Sequence, residues 1–333
     1  MPPITDVRDI SRIAYGFMAS KALFAALETG LFARLSGAEK SLDDLVRETG
    51  IRENQLATLL AALTALGLLE RSEDRYRNAP ACERYLVPGA PNDFSDYYRY
   101  QINRQIYPAM LDLERVLHGE NVAGLYDMVS DDDSLAEEFS RGQHAGSLGP
   151  AYLLSRELEL EGRRTLLDIG GGSGAFSIMM CRRFADLKCT ILDFPSVLKI
   201  AERYVDEAGF SQRIALRPGN AISTDWPGGQ DVVLFSYLCS AISETDIDVL
   251  ITKAYGSLGA GGLLVIHDFM LDDDGAGPAL AAQWKLFMLM GNPRTISLTP
   301  RYLTGMARDA GFTSVTTREL IPEITSLAVC EKS

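Results

Sequence analysis

Residues 166–176, LLDIGGGSGAF, form the clearest ligand-binding motif in this chain. An apolar strand pattern ends at Asp168, four glycines fall within five residues, and a helical pattern follows at once. Glycines permit a tight turn and let a ligand approach the backbone and the helix N-terminus. The spacing of Gly170 and Gly172 satisfies a loose dinucleotide fingerprint, so an NAD-dependent oxidoreductase is one interpretation. Asp168 and Gly174 extend the pattern to D-x-G-x-G-x-G, and a carboxylate beside the turn favours a ligand with a cationic amino-acid tail.

Polar residues also end the next two predicted strands. Asp193 ends CTILDF, where a carboxylate is suited to a ribose diol, and Asn220 follows IALRPG, where an amide is suited to an adenine edge. Each of them alone is an ordinary strand-end residue. Three such residues at one edge of one sheet indicate a binding crevice, because ligands of open α/β sheets bind at the carboxyl ends of the strands.

The elements that position these residues alternate from Thr165 onward. Apolar strand segments alternate with amphipathic helices, which predicts a parallel sheet covered on both faces. The segments SVTTREL and TSLAVCEK near the end of the chain predict a hairpin at the sheet edge. The fold class is therefore α/β, doubly wound, with an antiparallel last strand.

The N-terminal region predicts a separate, mostly helical domain. SLDDLVRETG has the pattern of a capped helix, with Ser41 at the N-cap, Asp44 three residues on and Gly50 at the end. Helices followed by the polar ribbon RSEDRYRNAPA suggest a winged helix, which serves either DNA binding or dimerisation. Residues 1–90 carry 11 Lys and Arg against 12 Asp and Glu, so dimerisation is favoured over DNA binding. The predicted boundaries are 1–92 for this domain, 93–150 for bridging helices and 151–333 for the ligand-binding domain.

The composition limits the partners. The formal net charge is −13, which disfavours nucleic acid and anionic membranes. The chain has five cysteines with no C-x-x-C spacing, and this predicts reduced thiols in the cytoplasm and no metal site. The N-terminal residues have no secretion-signal pattern, and no apolar run reaches the roughly 18 residues of a membrane span.

With these motifs in place, the sequence resembles the S-adenosylmethionine-dependent small-molecule O-methyltransferases of plants and bacteria. The resemblance covers nearly the whole chain and is carried by ALETGLFARL, LLAALTALGLLERSEDRYRNAP, LLDIGGGSG, ILDFPSV, DVVLFSYL and MARDAGF. It implies a winged-helix dimerisation domain before a Rossmann-like class I methyltransferase domain with a mixed seven-stranded sheet. It also implies a homodimer in which the partner's N-terminal segment helps to close the acceptor pocket.

The resemblance places the cofactor on the strand ends described above. The predicted S-adenosylmethionine contacts are Asp168, Gly170, Gly172, Gly174, Asp193, Phe194, Asn220, Ala221, Ser236 and Tyr237. The predicted acceptor contacts are His144 on the bridging segment and Trp284, Met288 and Asn292 around AAQWKLFMLMGN. An apolar stripe of this kind more often belongs to a core, so only some of these side chains are expected to face a ligand.

The chain departs from the family at two places. Asn220 stands where the family usually has Asp. The family's fourth strand ends in Leu-His-Asp-Trp with His as the general base, whereas this chain has Cys239-Ser240-Ala241-Ile242, and Ser240 holds the position of the histidine. Serine is too weak a base to act unaided, and a thiol on an apolar strand is expected to be a core residue.

His267 is the candidate for a relocated base. It ends the predicted fifth strand, which in this fold lies beside the fourth, and it falls where the family commonly has a glutamate. A structural histidine at the strand end is an equal alternative.

The sequence therefore predicts a cytoplasmic, homodimeric S-adenosylmethionine-dependent methyltransferase that acts on a small aromatic or polyketide-like acceptor, with oxygen as the family's default acceptor atom. Two alternatives stay open at this point. One is methylation of carbon or nitrogen, which needs no histidine base. The other is a cofactor-binding homologue without transfer activity.

Overall fold

The computed structural model describes residues 3–120, 122, 133–292 and 297–333. The chain divides into two compact units, Met1–Pro108 and Ala109–Ser333. Among the described residues, no helix combines the length and the apolar character needed to cross a membrane.

The first unit is helical with a small sheet. Its helices are α1 (Val7–Glu28), α2 (Leu31–Arg34), α3 (Leu42–Thr49), α4 (Glu53–Ala65), α5 (Pro80–Tyr85) and a π-helix over Tyr97–Ile106. Its strands β1 (Lys40–Ser41), β2 (Leu69–Ser72) and β3 (Arg75–Asn78) form an antiparallel sheet in the order β1-β3-β2. Helices followed by a two-stranded ribbon are the arrangement that the sequence predicted.

The capping signals in this unit are confirmed. The N–H of Asp44 donates to Ser41 Oγ, and the N–H of Ser41 donates to the Asp44 carboxylate, each at 3.2 Å. Gly50 ends α3 with φ +70°, a left-handed conformation that glycine adopts without steric cost. The helix then packs Leu45 into the core of this unit, where the side chain is fully buried.

The second unit contains a seven-stranded sheet with helices around it. Its strands are β4 (Thr165–Ile169), β5 (Lys188–Asp193), β6 (Ile214–Pro218), β7 (Gln230–Ser236), β8 (Leu258–Asp268), β9 (Ser314–Ile321) and β10 (Thr325–Glu331). Its helices are α6 (Tyr107–Ala109, which spans the unit boundary), α7 (Leu113–Leu117), α8 (Asp133–Glu157), α9 (Ala175–Arg183), α10 (Pro195–Glu207), α11 (Glu244–Ser257), α12 (Ala279–Met288) and α13 (Pro300–Asp309).

The strand order explains where a ligand can bind. The order is β6-β5-β4-β7-β8-β10-β9, with β4 to β8 parallel and β10 antiparallel to β8 and β9. The mixed sheet with an antiparallel last strand is therefore confirmed. The chain order reverses between β4 and β7, so the carboxyl ends of these two strands border the switch-point crevice. Separate apolar clusters cover the two faces of the sheet.

Candidate active site

The glycine turn joins β4 to α9 in the way its sequence predicts. Gly170, Gly172 and Gly174 have φ of +66°, +57° and +80°, so the turn needs left-handed residues at each of these positions. Gly171 is required for a different reason. A Cβ there would lie 2.7 Å from Cγ of Asp168, because the carboxylate packs directly beneath the turn.

Asp168 keeps one oxygen available beneath that turn. The side chain is 1% exposed, and its Oδ2 accepts a hydrogen bond of 2.7 Å from the hydroxyl of Ser177. Its Oδ1 is buried and has no hydrogen-bond partner among the described residues. Burial raises the pKa of Asp168 to about 7, since a desolvated carboxylate without a cation is destabilised. An ammonium group of a ligand would supply the missing partner.

Asp193 fastens the end of β5 to the same turn. Its Oδ2 accepts from the N–H of Gly172 at 2.9 Å, and its Oδ1 accepts from the N–H of Phe194 at 2.7 Å. Each carboxylate oxygen has more than one lone pair, so these bonds orient the group without exhausting it. Burial raises the pKa of Asp193. Phe194 follows with its ring half exposed.

The turn after β6 is held by its own side chains and by Lys253 of α11. Asn220 Oδ1 accepts from the N–H of Ile222 at 2.8 Å. The carbonyl oxygen of Ala221 accepts from Trp226 Nε1 at 3.0 Å and from Lys253 Nζ at 2.9 Å. The predicted adenine-side residues therefore lie on an ordered turn, two strands from β4 in the sheet.

The end of β7 carries an unusual backbone conformation. Tyr237 has φ +55°, which a non-glycine residue rarely adopts, and its N–H donates to the carbonyl of His267 at 2.9 Å. Such strained residues often occur at functional sites. The Tyr237 ring lies 5.3 Å from that of Phe269, which stacks on Trp284 at 4.5 Å and an interplanar angle of 21°. An aromatic row thus runs from the end of β7 to α12.

The structure favours a structural role for His267 over a role as the base. Its ring is fully buried, with Nδ1 hydrogen-bonded to Ser236 Oγ at 2.9 Å and Nε2 to Thr325 Oγ1 at 3.0 Å. Burial lowers the pKa of His267 to about 3. An imidazole with both nitrogens engaged and so low a pKa is unsuited to remove a proton from an acceptor, and it instead connects β7, β8 and β10.

The segment that the family resemblance places at the histidine position, Cys239–Ala241, buries Cys239 and Ser240 in the protein interior. Cys239 is fully buried in the core, as predicted, and burial raises the pKa of its thiol. Ser240 donates its N–H to Asp268 Oδ2 at 2.9 Å, and its side chain also bonds to that carboxylate. The Ser240 hydroxyl is therefore held by Asp268.

Ser240 nevertheless borders a cavity. The lining residues are Ser240, Phe269, Leu271, Ala281, Trp284, Lys285, Ser297 and Leu298. The cavity is mostly apolar, with a stacked aromatic pair on one wall. Trp284, one of the predicted acceptor contacts, lines this cavity.

The other predicted acceptor residues do not line this cavity. Met288 is partly exposed, outside the cavity lining, and Asn292 Nδ2 donates to the carbonyl of Ala241 at 3.3 Å. His144, predicted as an acceptor contact, lies instead against the glycine turn. Its Nδ1 is hydrogen-bonded to Ser173 Oγ at 2.9 Å, and its ring stacks on Tyr204 at 3.8 Å. Burial lowers the pKa of His144 to about 4.

Lys285 is the charged residue among the cavity-lining residues that the sequence interpretation missed. The available signal was a single charged residue within ALAAQWKLFMLM, a segment with no other charge. On a helix, such a lysine normally extends its ammonium group into water, so the pattern alone gives no reason to place it in a site.

The sequence matches two known protein families and is similar to characterised methyltransferases. Residues 113–313 match the O-methyltransferase domain family, and residues 11–88 match the O-methyltransferase dimerisation domain family. The chain is 32% identical to the 3-hydroxy-5-methyl-1-naphthoate 3-O-methyltransferase of Streptomyces sahachiroi, over 92% of this chain and 90% of that protein. It is 28% identical to the tetracenomycin polyketide synthesis 8-O-methyl transferase TcmO of Streptomyces glaucescens, over 95% of both chains.

A solved structure gives the same picture of the fold. The S-adenosylmethionine-dependent methyltransferase SibL superposes with a TM-score of 0.80 at 25% identity, over 98% of this chain and 99% of that one. The glycine turn, the strand order and these matches agree. The chain belongs to the O-methyltransferase family, with a dimerisation domain followed by a methyltransferase domain.

Proposed function

We propose that this chain transfers a methyl group from S-adenosylmethionine to a hydroxyl oxygen of a small planar acceptor of aromatic or polyketide type. The observation that carries the proposal is the aromatic row Tyr237–Phe269–Trp284. It connects the end of β7, which neighbours the glycine turn's strand β4, to the cavity lined by Ser240, Trp284 and Lys285. One named relative acts on a hydroxynaphthoate and another belongs to tetracenomycin polyketide synthesis, which supports an aromatic or polyketide acceptor.

The residues around the glycine turn fit the methyl donor. The unpartnered Oδ1 of Asp168 suits the ammonium group of the methionine portion, and Asp193 at the end of β5 suits the ribose hydroxyls. Phe194 and the turn at Asn220 and Ala221 then lie on the adenine side.

The remaining predicted contacts serve the methyl-bearing end. Ser236 is the last residue of β7, and Tyr237 follows it with its ring 5.3 Å from that of Phe269, which lines the acceptor cavity. When bound, S-adenosylmethionine supplies an electrophilic sulfonium methyl group. The protein's contribution is to hold the acceptor oxygen in line with that group and to exclude water, which accounts for most of the acceleration of a displacement.

The donor and the acceptor class are tested separately. Calorimetric titration of the full-length protein is expected to show tighter binding of S-adenosylhomocysteine than of NADH, and the reverse order would reject the methyl donor. Hydroxynaphthoates and hydroxylated polyketides are then incubated with the enzyme and S-adenosylmethionine. Mass spectrometry is expected to find products heavier by one methylene unit, and binding of the donor without any transfer would indicate a homologue that has lost activity.

We also propose that the chain is a homodimer assembled through α1. Val7, Ile10, Ile13 and Phe17 follow a helical spacing, and each is at least half exposed in the single chain. The match of residues 11–88 to a dimerisation domain supports a dimer, and Ile13 and Phe17 of this face lie within the matched range. Such an apolar stripe on a monomer is expected to be covered.

Light scattering tests the interface directly. The wild type is expected to have twice the mass of one chain, and the double variant Ile10→Asp/Ile13→Asp the mass of a single chain. Leu66→Asp, at an exposed leucine directly after α4, is the matched control and should leave the dimer intact. A monomeric wild type would contradict the proposal, as would a double variant that stays dimeric.

A further inference from the structure

Lys285 places its ammonium group inside the protein. The residue as a whole is partly exposed, yet its Nζ is buried and has no hydrogen-bond partner among the described residues. This is the opposite of the usual arrangement, in which a lysine buries its stem and leaves the charge in water. Burial alone lowers the pKa of Lys285 to about 8.

An unpaired buried cation is costly, so its location calls for a partner. Buried charges in proteins are normally paired, and a buried lysine usually loses its proton more readily instead. Lys285 lines the same cavity as Trp284 and Ser240, and Ser240 stands in the position of the family's histidine. Among the described residues, Lys285 is the one cationic side chain that lines this cavity, and it thus lies beside the acceptor position.

The titratable groups on the neighbouring elements do not cause the lowered pKa of Lys285. On β8, Asp268 is fully buried and accepts hydrogen bonds from the N–H groups of Ser240 and Phe269. Burial raises the pKa of Asp268 to about 6. Cys239 is buried in the core, with its thiol pKa raised. Neither group contributes to the shift of Lys285, whose cause is desolvation.

We propose that Lys285 removes the proton from the acceptor hydroxyl during methyl transfer. The inference rests on the proposed O-methylation. In this step the acceptor oxygen forms a bond to the methyl carbon, and the carbon–sulfur bond breaks with its electron pair staying on sulfur. The hydroxyl proton passes to the neutral Nζ, and the resulting ammonium group returns it to water before the next turnover.

The ionisation of Lys285 suits this task. With a pKa of about 8, about one molecule in ten carries neutral Lys285 at pH 7, whereas an ordinary lysine is almost fully protonated. A base with a pKa near the working pH is the effective kind. A bound phenolate would also be stabilised by the ammonium group that its proton creates.

A binding experiment tests the proton transfer without turnover. The probe is 4-nitrophenol, whose ionised form absorbs visible light, added to the enzyme saturated with S-adenosylhomocysteine. In the wild type, the probe is expected to ionise about one pH unit or more below its value in buffer, because a cation within reach lowers an acid's pKa by about 1–3 units. Lys285→Met should abolish the shift. Lys199→Met, which removes an exposed lysine on α10, is the matched control and should retain it. Identical spectra for the wild type and Lys285→Met would overturn the proposal.

A kinetic experiment separates a base from an anchor for an anionic group. A series of phenols and naphthols of graded acidity is methylated by the wild type, Lys285→Met and Lys285→Arg. For a base, both variants lose about 10²–10⁴-fold with the least acidic acceptors and little with the most acidic, because the latter are already ionised. The rise of wild-type kcat/KM with pH through about 8 should vanish in both.

Two results would overturn the role of Lys285 as a base, and a third would instead contradict the proposed function. A loss that is the same for every acceptor and is rescued by arginine would overturn the role as a base in favour of charge anchoring. Full activity of Lys285→Met on the weakly acidic acceptors would also overturn it. Failure of the wild type to methylate any hydroxyl would instead contradict the proposed function. Unchanged S-adenosylhomocysteine affinity and thermal unfolding in the variants confirm that the fold is intact.

Discussion

His267 gives a quantitative test of how the strand ends are built. In the native protein, burial holds the pKa of His267 at about 3, whereas an unfolded histidine titrates near 6.5. Because the folded state resists protonation, stability attributable to neutral His267 is complete above pH 6.5 and is lost progressively as the pH falls toward 3. At pH 5, which is about 1.5 units below the pKa of the unfolded histidine, protonation stabilises the unfolded chain but not the folded one. One unit is worth about 1.4 kcal/mol, so the loss between pH 8 and pH 5 is about 2 kcal/mol.

The substitution His267→Gln removes this titration and retains a polar group. The variant should be less stable than the wild type at pH 8 by about 1–3 kcal/mol, because at least one of the partners Ser236 and Thr325 loses its hydrogen bond inside the core. The deficit should shrink by about 2 kcal/mol at pH 5. Urea unfolding of both proteins at the two pH values measures this double difference.

The comparison of two proteins at two pH values is needed because other buried groups stabilise the folded state as the pH falls, whereas His267 destabilises it. The raised pKa values of Asp168 and Asp268 make the folded state retain protons and so favour it as the pH falls. These contributions cancel between the wild type and the variant. His118→Gln, at an exposed histidine, is the matched control for the loss of an imidazole. A difference between the wild type and His267→Gln that is the same at both pH values would mean that the pKa of His267 is not lowered, and the argument against it as a base would fail.

Three further predictions follow from the glycine turn and the cavity. Asp168→Asn should weaken S-adenosylhomocysteine binding about 30- to 1,000-fold in calorimetry, because the ligand's buried ammonium group loses its charged partner. The affinity of the wild type should fall as the pH drops below about 7, and the affinity of the variant should not. An unchanged affinity would place the ammonium group elsewhere. Gly171→Ala should destabilise the protein by about 1–3 kcal/mol in urea unfolding, since the new methyl group meets the Asp168 carboxylate, whereas Gly256→Ala in open space should not. Trp284→Ala should raise the KM of an aromatic acceptor about tenfold or more while the S-adenosylhomocysteine affinity stays within about twofold, and a loss confined to kcat would contradict a role in acceptor binding.

The features that the sequence predicts well are those set by local chemistry. The capping pair Ser41 and Asp44 and the left-handed glycines of the turn depend on interactions within a few residues of the chain. The order of elements was predictable for the same reason, because continuous apolar strands between amphipathic helices leave few arrangements of a parallel sheet.

The features that the sequence does not predict depend on long-range packing. His267 ends β8 beside β7, as predicted, but only the approach of Thr325 on β10 occupies its second nitrogen. The placement of His144 depends on how α8 packs against the glycine turn, and the sequence gives no signal for that. Lys285 has the appearance of a solvent-facing lysine until the cavity around its Nζ is known. The π-helix at Tyr97–Ile106 likewise has the composition of an ordinary helix.

The central claim is transfer of a methyl group to oxygen at the cavity beside Ser240. Its most direct test is a single turnover with S-adenosylmethionine carrying a ¹³C-labelled methyl group and a hydroxynaphthoate acceptor, followed by ¹³C NMR of the product. We expect one labelled carbon at the chemical shift of an aryl methyl ether, formed by the wild type and strongly reduced in Lys285→Met. A label bound to a ring carbon, or donor binding with no labelled product from any hydroxylated acceptor, would contradict it.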